Sequence, residues 1–185
     1  GENNGLGIAM GTSEAVGFVD PEGCITGWLN ELAFVPVDAS PDAMIDEWAG
    51  DIGCGVKYFS QDAVIKLAPA AGITLDPELP PAKKLKVVQK EMEVEGSPAE
   101  DIFRSMGVYL AHSIALYHHF YGFHQVLLLG RVMSGRGGDI LLATAQAVLE
   151  SDYPELAPKI LMTLPDEKAR RVGQSVAAAS LPEIK

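Results

Sequence analysis

The spacing of apolar residues changes twice along this chain. At the start, Leu6–Met10 and Ala15–Asp20 form short apolar stretches around a polar elbow, Gly11-Thr12-Ser13. Short runs bounded by turn residues predict β-strands. Pro21-Glu22-Gly23 supplies a hairpin turn, Cys24–Trp28 reads as a third strand and Ala33–Val37 as a fourth. Trp48–Gly55 is punctuated by glycine and reads as a loop.

The middle has helical spacing. Ser60 is placed to cap a helix reaching about Ala70, and Lys83–Val94 predicts a second. Ser97-Pro98-Ala99-Glu100 combines an N-cap serine, a proline at the first helical position and a capping-box glutamate. Ile102, Phe103, Met106, Leu110, Ile114, Leu116 and Tyr117 then form an apolar stripe that ends near Gly122. In the last third the pattern alternates. His124–Gly130 is a strand, Arg131–Gly138 a glycine-containing loop and Asp139–Ser151 a helix. Lys159–Met162 is a strand and Asp166–Leu181 a final helix. This succession predicts a parallel α/β portion.

Composition narrows the function classes. With 185 residues and 48% hydrophobic content, residues 1–185 are expected to form one globular domain. A net charge of -11 argues against direct nucleic-acid binding, which needs clustered cations. Lys83, Lys84, Lys86 and Lys90 read as the wet face of a helix. Cys24 and Cys54 form no CxxC pattern, which suits a reducing, cytoplasmic compartment. No apolar run approaches the roughly 20 residues of a membrane span. The chain begins almost directly on a strand and reads as a piece cut from a longer protein.

Four segments, in this order, resemble the C-terminal lobe of the ROK family, bacterial sugar kinases and related repressors with the actin-like (ribonuclease H-like) ATPase fold. "MGTSEAVGFVD" is similar to the family's second phosphate loop, Gly-Thr-Gly-x-Gly-Gly-Gly. "NELAFVPVD" resembles its Glu-x-Gly-His-x-x-Val. "EWAGDIGCGVKYFS" resembles Cys-x-Cys-Gly-x-x-Gly-Cys-x-Glu-x-x-x-Ser. "VLLLGRVMSGRGGDIL" is similar to the adenosine-side strand, Gly-Gly-Gly-x-Ser loop and helix. The fold so implied is α/β, a mixed sheet with flanking helices. It is half of a two-lobed cleft whose N-terminal lobe is expected to be absent from this chain.

The resemblance implies phosphate contacts at Gly11 and Thr12, adenosine contacts at Gly130, Arg131 and Ser134, and a sugar contact at Glu31. Gly135, Gly137 and Gly138 precede a helix start that favours an anion. Departures from the family pattern matter as much. Ser13, Ala15 and Val16 replace glycines, and Glu14 adds a carboxylate that repels phosphate if it faces the loop. Phe34 replaces the sugar-binding histidine, and Val56 a second glutamate. The family's zinc positions read Phe34, Glu47, Ala49 and Cys54, and one thiol makes no tetrahedral site. No metal is therefore expected, with Phe34 and Trp48 packing in its place. His112, His118, His119 and His124 read as helix-surface or core histidines.

The resemblance implies ATP and Mg²⁺ as cofactors, a sugar substrate, the missing lobe as partner, and homo-oligomers. The catalytic aspartate belongs to that lobe, so no catalytic residue is expected in this chain. The alternative is a non-catalytic ligand-sensing or dimerising module of a transcriptional regulator. The small residues of "VGQSVAAAS" in the final helix suit close packing against another lobe or copy.

Overall fold

The structure, a computed structural model, describes residues 3–25 and 31–165. Its centre is a four-stranded sheet in the order β2-β1-β3-β4, with β1 Gly5–Met10, β2 Glu14–Val19, β3 Gln125–Leu129 and β4 Leu161–Thr163. β2 is antiparallel to β1, with Met10 opposite Glu14 and Leu6 opposite Phe18. β3 is parallel to both β1 and β4. The sheet is therefore mixed, as expected.

Period-two alternation selects the core face. Leu6, Ile8 and Met10 of β1, Phe18 of β2, and Val126 and Leu128 of β3 are buried. They share one cluster with Ile102, Phe103, Met106, Leu110 and Ile114 of α3 (Ala99–Tyr121) and with Leu141, Ala145 and Leu149 of α4 (Arg136–Asp152). α1 (Gln61–Leu67) and α2 (Pro81–Glu91) complete the helices; α2 buries Leu85 and Val88 and turns its lysines outward. No described helix is long and apolar enough to cross a membrane.

Several boundaries differ from the sequence expectation. Ala33–Val37 is not a strand. Leu32–Phe34 forms a 3-10 turn, and only Pro36 bridges to Cys54, because proline has no N–H to extend a ladder. Of Cys24–Trp28 the described part holds a single bridge, Val19 to Ile25, and the rest lies outside the described residues. α4 begins at Arg136 rather than Asp139, because Gly137 already packs against the Phe103 ring within its first turn. The capping device of α3 is shifted. Ser97 Oγ accepts from Ala99 N–H at 3.3 Å, while Glu100 reaches back to Gly96 N–H at 2.8 Å. The expected helix at Asp166–Leu181 lies outside the described residues.

Candidate functional site

Parallel strands deliver their following loops to one end of a sheet, where ligands of α/β proteins bind. Here β1 and β3 are parallel neighbours, so the Gly11–Ser13 turn and the Gly130–Ser134 loop leave the sheet side by side. They are joined by a hydrogen bond from Val132 N–H to the Met10 carbonyl, 3.1 Å. Gly130 has φ +96°, and a Cβ there would lie 2.2 Å from the Met10 oxygen, so only glycine permits this approach. The Gly11 carbonyl accepts Gln61 N–H at 2.8 Å, tying the start of α1 to the same turn.

The turn itself is narrower than a glycine-rich cradle. Gly11 N–H is committed to the Ser13 carbonyl at 3.0 Å. Thr12 and Ser13 are exposed at its tip. Glu14 does not face the tip. It lies on the core face with Val16 and Phe18, is 5% exposed, and neither carboxylate oxygen has a hydrogen-bond partner. Burial pushes its pKa up to about 8. Space for it comes from Gly55, whose missing Cβ would sit 2.6 Å from Glu14 Oε2 and 2.8 Å from the Leu32 carbonyl oxygen. The alternation of Glu14, Val16 and Phe18 is the sequence signal that places this carboxyl inside.

On the β3 side, a cavity of about 300 Å³ is lined by Gln89, Met92 and Glu93 of the α2 end and by Ser134, Gly135, Arg136 and Gly137. Gln89 Nε2 donates to the Arg131 carbonyl at 2.7 Å, which fixes the loop to α2. Arg131 is exposed. The arginine that lines the cavity is Arg136, held by Glu100 at 2.6 Å and donating to the Met92 and Val94 carbonyls at 3.3 Å. Backbone Gly96, then Arg136, hold the Glu100 pKa below its ordinary value. Sequence reasoning missed Gln89 and Arg136, whose contacts span 36 to 44 positions and leave no local signal.

Glu31 is an exposed carboxylate at the start of the Leu32–Phe34 turn. The Leu32 carbonyl and the Glu14 carboxyl both lie against Gly55, so this turn and the start of β2 are neighbours. Phe34 and Val56 carry no polar side-chain group.

The zinc positions of the resemblance do not fit a metal. Phe34 and Ala49 carry no donor, Cys54 is buried, and Glu47 is taken by Lys57 at 2.6 Å and Lys66 at 2.7 Å. Nor do Phe34 and Trp48 take the metal's place by packing: their ring centroids are 6.5 Å apart, and Trp48 is 86% exposed. Lys57 ties this segment together. Its buried ammonium binds Asp46 at 3.1 Å, Glu47 at 2.6 Å and Asp62 at 2.9 Å, cross-linking the 46–62 segment. Burial alone would lower the Lys57 pKa, but the hydrogen bonds it donates to Glu47, Asp62 and Asp46 raise it above its ordinary value. Among the described residues no group of His, Cys, Asp and Glu could hold a metal ion. Three of the four histidines are occupied separately: His112 Nδ1 with Tyr153 OH at 2.8 Å, His118 against Phe123, His119 against Phe120.

No family model and no curated protein matches the chain. Solved structures do. A ROK hexokinase from Thermus thermophilus superposes with a TM-score of 0.66 at 18% identity, covering 94% of this chain and 56% of that one. A ROK family transcriptional regulator, a homologue of the E. coli MLC protein, gives 0.64 at 19% identity over 88% and 41%. A ROK family glucokinase from Streptomyces griseus, solved with glucose and AMPPNP, gives 0.60 at 17% identity over 80% and 52%. The chain spans about half the length of these structures, and its fold is that of a partial ROK-like lobe.

Proposed function

We propose that this chain, residues 1–185 as one domain, is the nucleotide-side lobe of an ATP-dependent sugar kinase and carries part of the sugar side. It would form the C-terminal half of a two-lobed cleft. The observation that carries this reading is the meeting of the Gly11–Ser13 turn and the Gly130–Ser134 loop at the carboxyl ends of β1 and β3, beside the cavity at the start of α4. In this reading Gly130, Arg131 and Ser134 border the adenosine, with Gln89 and Arg136 shaping its pocket. Thr12 and the backbone after Gly11 meet the phosphates, and Glu31 orients sugar hydroxyls. ATP with Mg²⁺ supplies the phosphoryl group. Catalysis of such transfer rests on positioning and electrostatic stabilisation. The base comes from the companion lobe, so the chain alone does not turn over. We assign no structural zinc, because Lys57 fills that role. The complete protein is proposed to work in the cytoplasm and to self-associate.

Particular observations favour a second reading. The Gly11 N–H is already bound by Ser13, and Phe34 and Val56 remove polar sugar partners. A non-catalytic ligand-sensing module of a regulator would tolerate both. The separating experiment is ADP release by the complete protein with MgATP across a hexose panel. Turnover that requires one sugar is expected. No turnover with any sugar, in a folded protein that still binds ligand, overturns the kinase and leaves the regulator.

A further inference from the structure

A cavity of about 360 Å³ opens between the 38–44 segment, α1 and α3, and shares no lining residue with the nucleotide loops. Part of its lining is apolar, from Ala63 and Leu67 of α1 and Met106 of α3. The polar part centres on Asp38. Its Oδ1 accepts Ser40 N–H at 2.8 Å, and its Oδ2 accepts both Tyr58 OH at 2.7 Å and Tyr109 OH at 3.0 Å. The Tyr58 oxygen accepts Met44 N–H at 2.9 Å, and the two tyrosine rings lie 4.6 Å apart. Burial alone would raise the Asp38 pKa, but these hydrogen bonds, Tyr58 first, hold it below the ordinary carboxylate value. Asp42, a second carboxylate, lines the same cavity and is exposed.

Among the described residues this negative charge is hydrogen-bonded but has no counter-cation. Among the described residues no Lys or Arg lines the cavity and neither aspartate forms an ion pair. The contrast with the neighbouring Asp46, Glu47 and Asp62 is informative, because those carboxylates surround the Lys57 ammonium. The Asp38 cavity offers similar anionic chemistry, two aromatic rings and an apolar wall, and leaves the ammonium to come from outside. Convergent polar groups with perturbed ionisation in an apolar-walled cavity mark a ligand site. Aromatic rings and a half-buried carboxylate beside an exposed one both favour an organic cation over a neutral or anionic guest.

We infer that this cavity is a binding site for a small organic cation, a primary ammonium on a short alkyl body. The ammonium lies against Asp42 and Asp38, and the alkyl chain against Leu67 and Met106. The test is a titration of the 185-residue chain with n-hexylammonium chloride, followed by amide resonances at constant ionic strength. 1-Hexanol and hexanoate serve as controls. Saturable shifts at Ser40, Met44, Leu67 and Ser105 are expected, with hexylammonium bound about tenfold more tightly than hexanol. Asp42→Asn, an exposed substitution that leaves the fold intact, should bring hexylammonium down to the hexanol level and leave hexanol unchanged. Equal binding of hexanol or hexanoate, unsaturable shifts spread over the acidic surface, or an unchanged Asp42→Asn affinity would each overturn the assignment. Nucleotide binding does not enter the readout, so the result is independent of the proposed kinase function.

Discussion

Lys57 and Glu14 are buried to the same degree, each 5% exposed, and meet opposite fates. Lys57 is surrounded by three carboxylates and stays charged. Glu14 has no donor within reach and stays neutral until its proton is removed near pH 8. Burial alone does not decide ionisation; the partners that the fold brings along do. The difference also assigns structural roles. Lys57 staples the 46–62 segment, whereas Glu14 withdraws its carboxyl from the Gly11–Ser13 turn into the core.

Removing the staple should have the largest effect. Lys57→Met strands Asp46 and Asp62 beside Glu47, and breaking a buried pair this way costs about 3–5 kcal/mol. Urea unfolding at neutral pH measures it, and a loss below about 1 kcal/mol would equate Lys57 with a surface ion pair.

pH separates the two groups by sign. Between the ordinary value of 4.5 and about 8 the folded state holds the Glu14 proton and the unfolded state does not. Stability from this group is therefore complete below pH 4.5 and lost as pH rises through about 8, a fall of about 3 kcal/mol between pH 5 and 8. Glu14→Gln should flatten that limb, and an unchanged slope would show that another group titrates. Glu47 works the other way. Lys57 and then Lys66 push its pKa to about 2, so its contribution is present above pH 4.5 and lost as pH falls toward 2.

Smaller effects refine the comparison between the paired and unpaired regions. Gly130→Ala forces a Cβ into the Met10 backbone at positive φ, and about 2 kcal/mol of destabilisation is expected, with loss of ATP binding. Tyr109→Phe removes one hydrogen bond to Asp38 and should cost about 1 kcal/mol by thermal unfolding. Glu31→Ala, on an exposed carboxylate, should change stability by no more than about 0.5 kcal/mol. In the complete protein, calorimetry should show weakened sugar binding; unchanged affinity removes Glu31 from the site.

Much of the architecture was legible because it rests on local patterns. Leu6, Ile8 and Met10 alternate, and the Ile102 to Tyr117 stripe has helical spacing, so β1 and α3 follow from the chain itself. Resemblance to a half-cleft located the loops at Gly11 and Gly130, and the fold brings them together. What failed depended on tertiary partners. Pro36 ends what reads as a strand, and the Gly137–Phe103 contact moves the start of α4. The Lys57 cluster draws its carboxylates from both a loop and a helix, so spacing alone could not gather them. Glu14 was missed although its signal is local: the strand reads from Ala15, while β2 starts at Glu14 and two-residue alternation with Val16 and Phe18 puts it on the core face.

The most direct measurement is an amide-resonance titration of this chain with MgATP up to about 10 mM, the range of weak binding by half a cleft. The account predicts saturable shifts at Thr12, Gln89, Gly130, Ser134 and Arg136, abolished by Gly130→Ala. Absence of any shift at these positions, or shifts confined to the Asp38 cavity, would contradict it.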